Sequence, residues 1–463
     1  MLIRDAEVAG ARCDVRIGGG IISAIAPELL PEAGEAVVDS RGGALLPGLH
    51  DHHIHLDATA AALLSLPCGP PAVTSRDALA QALAAAPGRG WLRGVGFHDS
   101  IGHVDRAWLD AHGPDRPVRI QHRGGRMWVL NSRAIAEIGG GAPADGRLID
   151  GDALVSSRLG RVLPDLAALG SRLAAMGITG VTDMTPRNEP ADFARYAGAG
   201  MAQHLLVMGR ASLDAQPAIG RARRGAVKLH YHDHALPDLD GLIVEMARAH
   251  AAGRPVAVHC VTRAELFLTL AAIEAAGAHP GDRIEHASIA PDEAVEWIAR
   301  LGLSVVTQPH FLTERAAEYA REVDCEDRPL LYRLQTWRDA GVRLAGGSDA
   351  PFGGLSPWAA MAAAVNRPPG FGAGESVSPE AALGLFLGDS DDPGGPARQL
   401  TNGAPADLCL LDRGWQAARA DLGAVGVCLT LVGGEIAAGG DLLSRNGVNQ
   451  APFEGGPCRH PRH

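Results

Sequence analysis

Short apolar runs of three to six residues recur through the middle of the chain, separated by longer stretches whose apolar positions repeat every three or four residues. The short runs predict β-strands, and the longer stretches, rich in Ala, Leu and Arg, predict helices. The predicted strands are 44–49, 117–121, 180–183, 226–230, 255–259, 283–286, 303–307 and 343–345. The clearest helical stretches between them are 239–252, 264–276, 291–301 and 330–340. Eight strands alternating with helices predict an α/β fold, the (β/α)8 TIM barrel.

Both ends of the chain show a different pattern, in which β-like runs are separated by turns. These runs are 14–18, 21–25 and 36–39 near the start, and 406–412, 427–432 and 433–437 near the end. Two β-rich ends predict a small β-sandwich domain formed jointly by 1–45 and 403–440. The barrel then takes 46–402, with an insertion at about 56–116, and 441–463 form a C-terminal tail.

The composition excludes some classes of partner and indicates the cellular compartment. The net charge of −11 argues against a nucleic-acid-binding protein, which would present a basic surface. No apolar run reaches the about 18 residues of a membrane-spanning helix, and the first residues do not resemble a signal peptide. Seven cysteines without a CxxC pair do not indicate a disulfide framework. We therefore expect a cytoplasmic protein with a small-molecule substrate and no nucleic-acid or membrane partner.

A single lysine stands among the 42 basic residues of the chain, and the others are arginine. Lys228 lies in an apolar β-like run, where a buried amine can lose its proton, as the guanidinium of arginine cannot. The pattern favours a functional amine, used as a nucleophile or a ligand. The alternative is an ordinary surface lysine.

Other polar residues lie at the ends of predicted strands. His53 and His55, two positions apart at the end of the first strand, point to the same side and can hold one metal ion. Four further residues lie at the ends of later strands: Lys228, His259, His286 and Asp349. Barrel enzymes keep their active sites at the carboxyl ends of the strands, so we expect these side chains to meet there.

The ligand types indicate which metal such a site would take. Imidazole and carboxylate groups suit zinc, and four histidines, one aspartate and one lysine exceed the needs of one tetrahedral ion. A neutral amine is a poor bridge between two cations, whereas a lysine carbamate formed with carbon dioxide offers two anionic oxygens. The residues therefore predict a divalent metal cofactor such as zinc, and a carboxylated Lys228 could bridge two Zn²⁺ ions.

The motif Pro-Gly-Leu-His-Asp-His-His-Ile-His at 47–55 resembles the first-strand signature of the amidohydrolase superfamily of metal-dependent hydrolases. The stretches 91–97, 131–135 and 347–351 resemble its branch called amidohydrolase family 3, which includes N-substituted formamide deformylases. The closing stretch 403–412 resembles the superfamily's return to its β-sandwich, so the resemblance spans nearly the whole chain.

The resemblance implies a role for each candidate ligand. His53 and His55 are implied as one ligand pair, and Lys228 as the carboxylated ligand between two metal ions. His259 and His286 are implied as ligands of the second ion. Asp349 is implied as a metal-bound residue that carries a proton during catalysis.

Two places depart from the pattern of that branch. Thr262 and Arg263 stand where the branch usually has a Gly-Asp pair, and Arg126 stands where it often has histidine. These changes concern the expected substrate pocket rather than the metal ligands. The metal chemistry is therefore expected to hold, and the known substrates of the branch are not carried over.

The expected activity is hydrolysis of an amide-type C–N bond in an N-acyl, N-formyl or cyclic amide by a metal-bound hydroxide. Asp349 takes the proton of the nucleophile and passes it to the leaving nitrogen. Esters stay open as substrates. Two other functions also stay open: a deaminase with one metal ion on the same scaffold, which needs no Lys228, and a non-catalytic binding protein, which would be expected to lack some ligands.

Three residues that follow the second predicted strand are candidates for substrate contact: Arg123, Arg126 and Trp128. Arginines at the mouth of a barrel can bind a substrate carboxylate through two hydrogen bonds. They can equally form ion pairs with acidic residues at the surface.

Two histidines complete the candidates for substrate contact. His310 can touch substrate or cap a loop, and His230 shares the strand face of Lys228. His232 and His234 fit a polar loop. Barrels of this kind often dimerise, and the sequence leaves a homodimer open.

Overall fold

The computed structural model describes residues 1–159, 163–442 and 444–445. The chain forms two compact units: the first comprises Met1–Leu56 and the chain from Leu166 onward, and the second comprises Asp57–Asp165. The second unit thus begins where the sequence predicts an insertion, but it extends well past position 116.

The strands are, in chain order, β1 (Leu2–Val8), β2 (Ala11–Gly18), β3 (Ile21–Ala26), β4 (Ala36–Asp39), β5 (Leu45–Pro47), β6 (Leu49–Ile54), β7 (Leu66–Pro67), β8 (Leu92–Phe97), β9 (Val118–His122), β10 (Met127–Leu130), β11 (Arg147–Ile149), β12 (Ile178–Asp183), β13 (His204–Gly209), β14 (Ala222–Leu229), β15 (Val256–Cys260), β16 (Arg283–His286), β17 (Ser304–Thr307), β18 (Arg343–Gly346), β19 (Leu408–Leu411), β20 (Val427–Val432), β21 (Glu435–Ala438) and β22 (Ser444–Arg445).

The α-helices are α1 (Leu56–Leu63), α2 (Arg76–Ala85), α3 (Arg106–His112), α4 (Ser132–Glu137), α5 (Asp152–Leu159), α6 (Leu166–Ala174), α7 (Pro190–Ala197), α8 (Leu239–Ala251), α9 (Arg263–Ala276), α10 (Asp292–Leu301), α11 (His310–Glu314), α12 (Ala316–Glu322), α13 (Gln335–Asp339), α14 (Pro357–Val365), α15 (Pro379–Gly384) and α16 (Trp415–Ala418). Among the described residues, none of these helices is both long and apolar enough to cross a membrane.

The largest sheet is the parallel barrel of the first unit. Its eight strands lie in the order β6, β12, β13, β14, β15, β16, β17, β18, and every neighbouring pair is parallel. The two ends of the sheet meet where Asp349 N donates to His53 O (2.7 Å) and His55 N donates to Ala350 O (3.0 Å). A Cβ at Gly347 would lie 2.6 Å from His53 N, so only glycine permits this approach. The predicted α/β barrel is confirmed.

The membership of the barrel differs from the prediction at one strand. The predicted strand 117–121 is β9, but it pairs with β8 and β10 in the sheet of the second unit. In the barrel β12 lies directly beside β6, and the remaining strand is β13 (His204–Gly209), between β12 and β14, which is not among the predicted strands. The prediction of 117–121 as a barrel strand is therefore wrong, because an apolar run predicts a strand without predicting its partner.

Local sequence explains the layers of the barrel. Residues on both faces of the barrel strands are buried; in β17, for example, two valines and the flanking Ser304 and Thr307 are all buried. The helix α10 buries Ala294, Val295 and Ile298 on one face, and Gly302 ends it with a left-handed φ of +70°.

Two further sheets of the first unit draw strands from both ends of the chain. One has the order β22, β4, β1, β2, β3, and the other has the order β21, β20, β19, β5. A shared core lies between them, with Val15 and Ile22 from the first sheet and Leu408 and Leu431 from the second. The predicted strand 44–49 is split between layers, because β5 belongs to this sheet and β6 to the barrel.

The second unit has its own sheet, in the order β11, β10, β9, β8, β7, together with the helices α2 to α4. Its core includes Leu79 and Leu83 of α2, Phe97 of β8 and Ile120 of β9, all fully buried. This core makes residues 57–165 a compact body in their own right.

Candidate metal centre

The carboxyl ends of the barrel strands bring the predicted ligands into one place. His53 is the penultimate residue of β6 and His55 directly follows that strand, while β14, β15 and β16 supply Lys228, His259 and His286. Asp349 comes three residues after β18 ends. The side chains of His53 and Asp349 are 1% and 9% exposed, so these two are shielded from solvent, while His55 and His259 are partly exposed.

Asp349 lies between the two histidines of the first strand. Its Oδ1 is 3.2 Å from Nε2 of His53 and 3.2 Å from Nε2 of His55. Ligand atoms of His53, His286 and Asp349 all lie within 4.8 Å of one another. Nitrogen and carboxylate oxygen atoms at this spacing fit the ligand set of a zinc ion.

A buried ion pair orients His53. Glu285 Oε2 accepts a hydrogen bond from His53 Nδ1 at 2.6 Å, and Arg283 Nε donates to the other oxygen of Glu285. Although burial opposes it, the charges of Arg283 and His53 hold the pKa of Glu285 well below its usual range. The ionised carboxylate therefore keeps the proton of His53 on Nδ1 and leaves Nε2 to face Asp349.

His286 is oriented in a similar way. Its Nδ1 donates to Gln308 Oε1 at 2.7 Å, which leaves Nε2 as the acceptor nitrogen. The rings of His259 and His286 lie 4.7 Å apart between centroids. Burial lowers the pKa of His286 to about 3 and that of His259 well below its usual value, so both rings are neutral and able to bind a metal ion.

Lys228 is buried among these groups. The residue is only 5% exposed, and its Nζ has no hydrogen-bond partner among the described residues. Burial lowers the pKa of Lys228 to about 8, against the opposing charges of Glu285 and Asp349. An orphaned buried amine of this kind fits a ligand position better than a packing role, because leaving it unpaired is costly.

The backbone at two ligands is strained. His286 has φ +70° and Asp349 has φ +50°, both in the left-handed region that favours glycine. Asp51 supports the turn that contains Asp349, because its Oδ1 accepts hydrogen bonds from His53 N (3.1 Å) and Ser348 N (2.9 Å). The first strand and the turn at Asp349 are therefore tied together.

The other predicted site residues divide between the two units. His230 packs its ring on His259 with centroids 4.1 Å apart, next to the ligand cluster. His310 is buried, and its Nε2 lies 3.0 Å from Ser348 O, which fits the capping alternative. These two residues share the first unit with the predicted ligands.

The three candidates that follow the second predicted strand belong to the second unit. Arg126 donates to Asp150 Oδ1 at 2.8 Å, which fits the alternative of a pairing with an acidic residue. Trp128 is 4% exposed, and the guanidinium carbon of Arg119 lies 5.1 Å from its ring centroid. Arg126 and Trp128, with the neighbouring Arg123, are part of the compact unit Asp57–Asp165.

The departures at Thr262 and Arg263 have local structural roles. Thr262 caps α9, because its Oγ1 accepts from Glu265 N at 3.2 Å while Glu265 bonds back to Thr262 N. Arg263 forms an ion pair with Asp327.

Sequence reasoning missed Glu285, Arg283 and Gln308 as supports of the ligands. A signal was present, because Arg283 and Glu285 are opposite charges two positions apart inside a short strand. Residues two apart in a strand share a face, so a buried pair was inferable.

Replacing Glu285 by Gln is expected to weaken zinc binding by about 10–100-fold, because a carboxylate that orients a histidine ligand contributes that much. A competition titration against a chromophoric chelator measures the affinity. Asp214→Asn is the matched control, since Asp214 pairs with another buried arginine, Arg254, at 2.7 Å. Equal affinities for the two variants would contradict the role of Glu285.

Comparisons with known proteins agree with this geometry. The sequence model of a family described as "Amidohydrolase family" matches residues 36–438. N-substituted formamide deformylase of Arthrobacter pascens is 26% identical over 491 aligned positions, which cover 86% of this chain and 90% of that protein.

Two solved structures show the same fold. An uncharacterized metal-dependent hydrolase from Pyrococcus horikoshii OT3 matches with a TM-score of 0.73 at 20% identity, covering 91% of this chain and 99% of its own. Atrazine chlorohydrolase TrzN from Arthrobacter aurescens TC1, complexed with zinc, matches with a TM-score of 0.58 at 14% identity, covering 94% of each chain. Because the family match spans most of the sequence and the ligand cluster lies at its centre, the chain belongs to the amidohydrolase family of metal-dependent hydrolases.

Proposed function

We propose that the protein hydrolyses an amide-type C–N bond of a small molecule, an N-acyl or N-formyl compound in particular, with two zinc ions. The observation that carries this proposal is the buried, unpartnered Nζ of Lys228 among the imidazoles and Asp349. The relative named N-substituted formamide deformylase supports the bond type, and the zinc complex of atrazine chlorohydrolase supports the metal.

Each ligand has a proposed place. His53 and His55 hold one ion, His259 and His286 hold the other, and Asp349 adds a carboxylate oxygen. The ions, when bound, lower the pKa of a water molecule and polarise the carbonyl of the substrate. Glu285 and Gln308 keep the rings of His53 and His286 in the orientation that binding requires.

Lys228 is proposed to bridge the two ions as its carbamate. The amine nitrogen attacks carbon dioxide, loses a proton and becomes an anionic carboxyl group with two oxygens. Only the neutral amine reacts, and with a pKa of about 8 roughly a tenth of Lys228 is neutral at pH 7. An arginine at this position would offer neither the neutral nitrogen nor the two oxygens.

Asp349 is proposed to move the proton. Although burial opposes it, the charge of His53 and the hydrogen bonds from His53 and His55 hold the pKa of Asp349 well below its usual range, so the carboxylate is ionised. One carboxylate oxygen accepts a proton from the attacking water, and the same group donates it to the leaving nitrogen as the C–N bond breaks. The products are a carboxylic acid and an amine.

The other two functions have less support. A deaminase with one metal ion gives no reason for a buried lysine among the ligands, and a non-catalytic protein gives no reason for the oriented histidines. The relative is also named as a deformylase of N-substituted formamides, which are amides, and its name does not indicate a reaction at a ring carbon.

Metal analysis combined with a hydrolysis screen tests the proposal. We expect two zinc ions per chain and release of an amine from N-acyl or N-formyl compounds, lost after chelation and restored by zinc. One metal ion per chain with ammonia released from a ring substrate would favour the deaminase. A chain that binds no metal would overturn the proposal altogether.

We also propose a cytoplasmic location, on the basis of the cysteines. All six described cysteines are free, and four of them, Cys13, Cys68, Cys260 and Cys409, are buried. Free buried thiols of this kind are typical of proteins in a reducing compartment.

A further inference from the structure

A half-buried arginine lies beside the ligand cluster, in the segment that follows β17. Arg315 is the single residue between α11 and α12. Its Nη2 donates to Phe352 O at 2.6 Å, and the ring of Phe352 meets the ring of His55 edge-on, with centroids 5.4 Å apart. One residue therefore contacts both the guanidinium and a predicted metal ligand.

Arg315 forms no ion pair with a carboxylate among the described residues. Two other arginines of the same unit that are equally shielded do so: Arg254 pairs with Asp214 at 2.7 Å, and Arg333 pairs with Glu375 at 3.1 Å. Leaving a charge without a counter-charge in a partly buried place is costly. Arg315 thus lacks the structural partner that a guanidinium in such a place usually has.

The electrostatic surroundings also connect Arg315 with the ligand cluster. Although burial opposes it, Tyr319, Tyr332 and the carboxylate of Asp349 raise the pKa of Arg315. When metal ions are bound, they take up the charge of Asp349. The guanidinium is then left as a cation that an anion from outside the protein can neutralise.

The orientation of the guanidinium leaves donors free. Its central carbon lies 3.8 Å from the ring centroid of the buried Phe311, so one flat face is covered and the N–H groups point outward in the plane. The bond to Phe352 O uses one of the two hydrogens of Nη2. Whichever hydrogen that is, one edge of the fork keeps two parallel N–H groups, the arrangement that binds a carboxylate.

A pair of tyrosines lies next to this edge. Tyr319 is four residues after Arg315 on the same side of α12, and its hydroxyl lies 3.1 Å from that of Tyr332. One hydroxyl proton lies in this contact, and the other is left for an acceptor. Tyr332 has a left-handed φ of +45°, held by its N–H on Ser288 O (2.9 Å) and by Arg367 Nη1 on its carbonyl (2.8 Å). Strained backbone of this kind is concentrated at binding sites.

We propose that Arg315, together with the hydroxyl of Tyr319, binds a carboxylate of the substrate. The substrate is then an N-acyl or N-formyl compound with a free carboxylate, such as an N-formyl amino acid. This inference rests on the proposed function and narrows its substrate class. A single guanidinium and one hydroxyl match the one charge and the two oxygens of a carboxylate.

The test compares two substrates that differ in this group. N-formyl-leucine carries the carboxylate and N-formyl-leucinamide carries a neutral amide, and release of formate is followed for both with the zinc-loaded full chain. We expect the wild type to have a kcat/KM at least about tenfold higher for the acid, since hydrogen bonds to a charged group contribute that much.

Arg315→Gln should raise the KM of the acid about 10–100-fold and leave its kcat within a few-fold of the wild type, because the lost contact lies away from the reacting bond. The KM of the neutral amide and the zinc content should not change. Tyr319→Phe keeps the ring and should raise the KM of the acid alone, by about 2–10-fold, so the proposal stays testable if Arg315→Gln folds poorly.

Arg328→Gln is the matched control. Arg328 is also half-buried, and it donates only to backbone carbonyls at the end of α12, Nε to Val323 O at 2.9 Å and Nη2 to Ala320 O at 2.7 Å. The same chemical change there should leave the KM of both substrates at the wild-type value.

Two results would overturn the carboxylate site and leave the proposed function standing. One is a wild type that hydrolyses the acid and the amide equally well. The other is an Arg315→Gln variant that loses the same factor on both, which would give Arg315 a purely structural role.

A wild type that hydrolyses no N-acyl or N-formyl compound would overturn the proposed function instead. Calorimetric binding of N-formyl-leucine then decides the carboxylate site by itself. Binding at least about tenfold weaker in Arg315→Gln than in Arg328→Gln would support the site. Equal affinities, or no binding to the wild type, would overturn it.

Discussion

Replacing Asp349 by Asn is expected to lower kcat by about 10²–10⁴-fold, the usual contribution of a general acid–base group, while the protein keeps its fold and its zinc. The amide of asparagine has nearly the shape of the carboxylate, and its oxygen can still face the Nε2 atoms of His53 and His55, now at 3.2 Å from Asp349 Oδ1. It cannot take up a proton from the attacking water. Steady-state kinetics beside metal analysis of the same preparation measures both effects.

Asp214→Asn is the control for this experiment, since it makes the same chemical change at a partly buried ion pair outside the ligand cluster. It should leave kcat near the wild-type value. An Asp349→Asn variant that turns over at the wild-type rate with zinc bound would remove Asp349 from the mechanism.

Replacing Lys228 by Arg is expected to reduce the zinc content from two ions to one or none. The resulting loss of kcat/KM should exceed the about 100-fold effect of losing a supporting group, because a shared ligand itself is lost. The guanidinium stays protonated and cannot react with carbon dioxide. It also adds a fixed positive charge beside the imidazoles, in a position that is now 5% exposed.

Lys228→Ala removes the carbamate without adding the positive charge that Lys228→Arg introduces. The smaller side chain leaves room where the carbamate would lie, so acetate or propionate should restore part of the zinc content and of the activity. The same acids should leave the wild type and Lys228→Arg unchanged. Two zinc ions and normal turnover in Lys228→Arg would refute the carbamate.

The sequence was sufficient for the type of fold, because that depends on repeating local patterns, and for the family, because short motifs such as 47–55 mark it. Apolar runs that alternate with helices predict a parallel barrel whatever the order of the strands. The same patterns do not predict which strand each run pairs with. Val118–His122 is a genuine strand, but it pairs with β8 and β10 outside the barrel, and the barrel is completed by His204–Gly209, between β12 and β14.

The candidate site shows the same limit at the level of side chains. Strand ends and the lone lysine indicated where His53, Lys228 and Asp349 lie, because the carboxyl ends of parallel strands meet. The contact between Glu285 and His53 joins residues 232 positions apart in the chain. A single sequence carries no local signal for a distance of that kind, although the alternation of Arg283 and Glu285 marked the strand as unusual.

The left-handed backbone at His286 and Asp349 has a consequence for how such a chain can evolve. Each non-glycine residue held there costs of order 1–3 kcal/mol, and glycine would adopt the same φ angles of +70° and +50° freely. Under selection for folding alone, both positions would drift to glycine. Their side chains are therefore retained although they destabilise the fold. A descendant that had lost catalysis and carried glycine at these two positions would be expected to show a higher Tm.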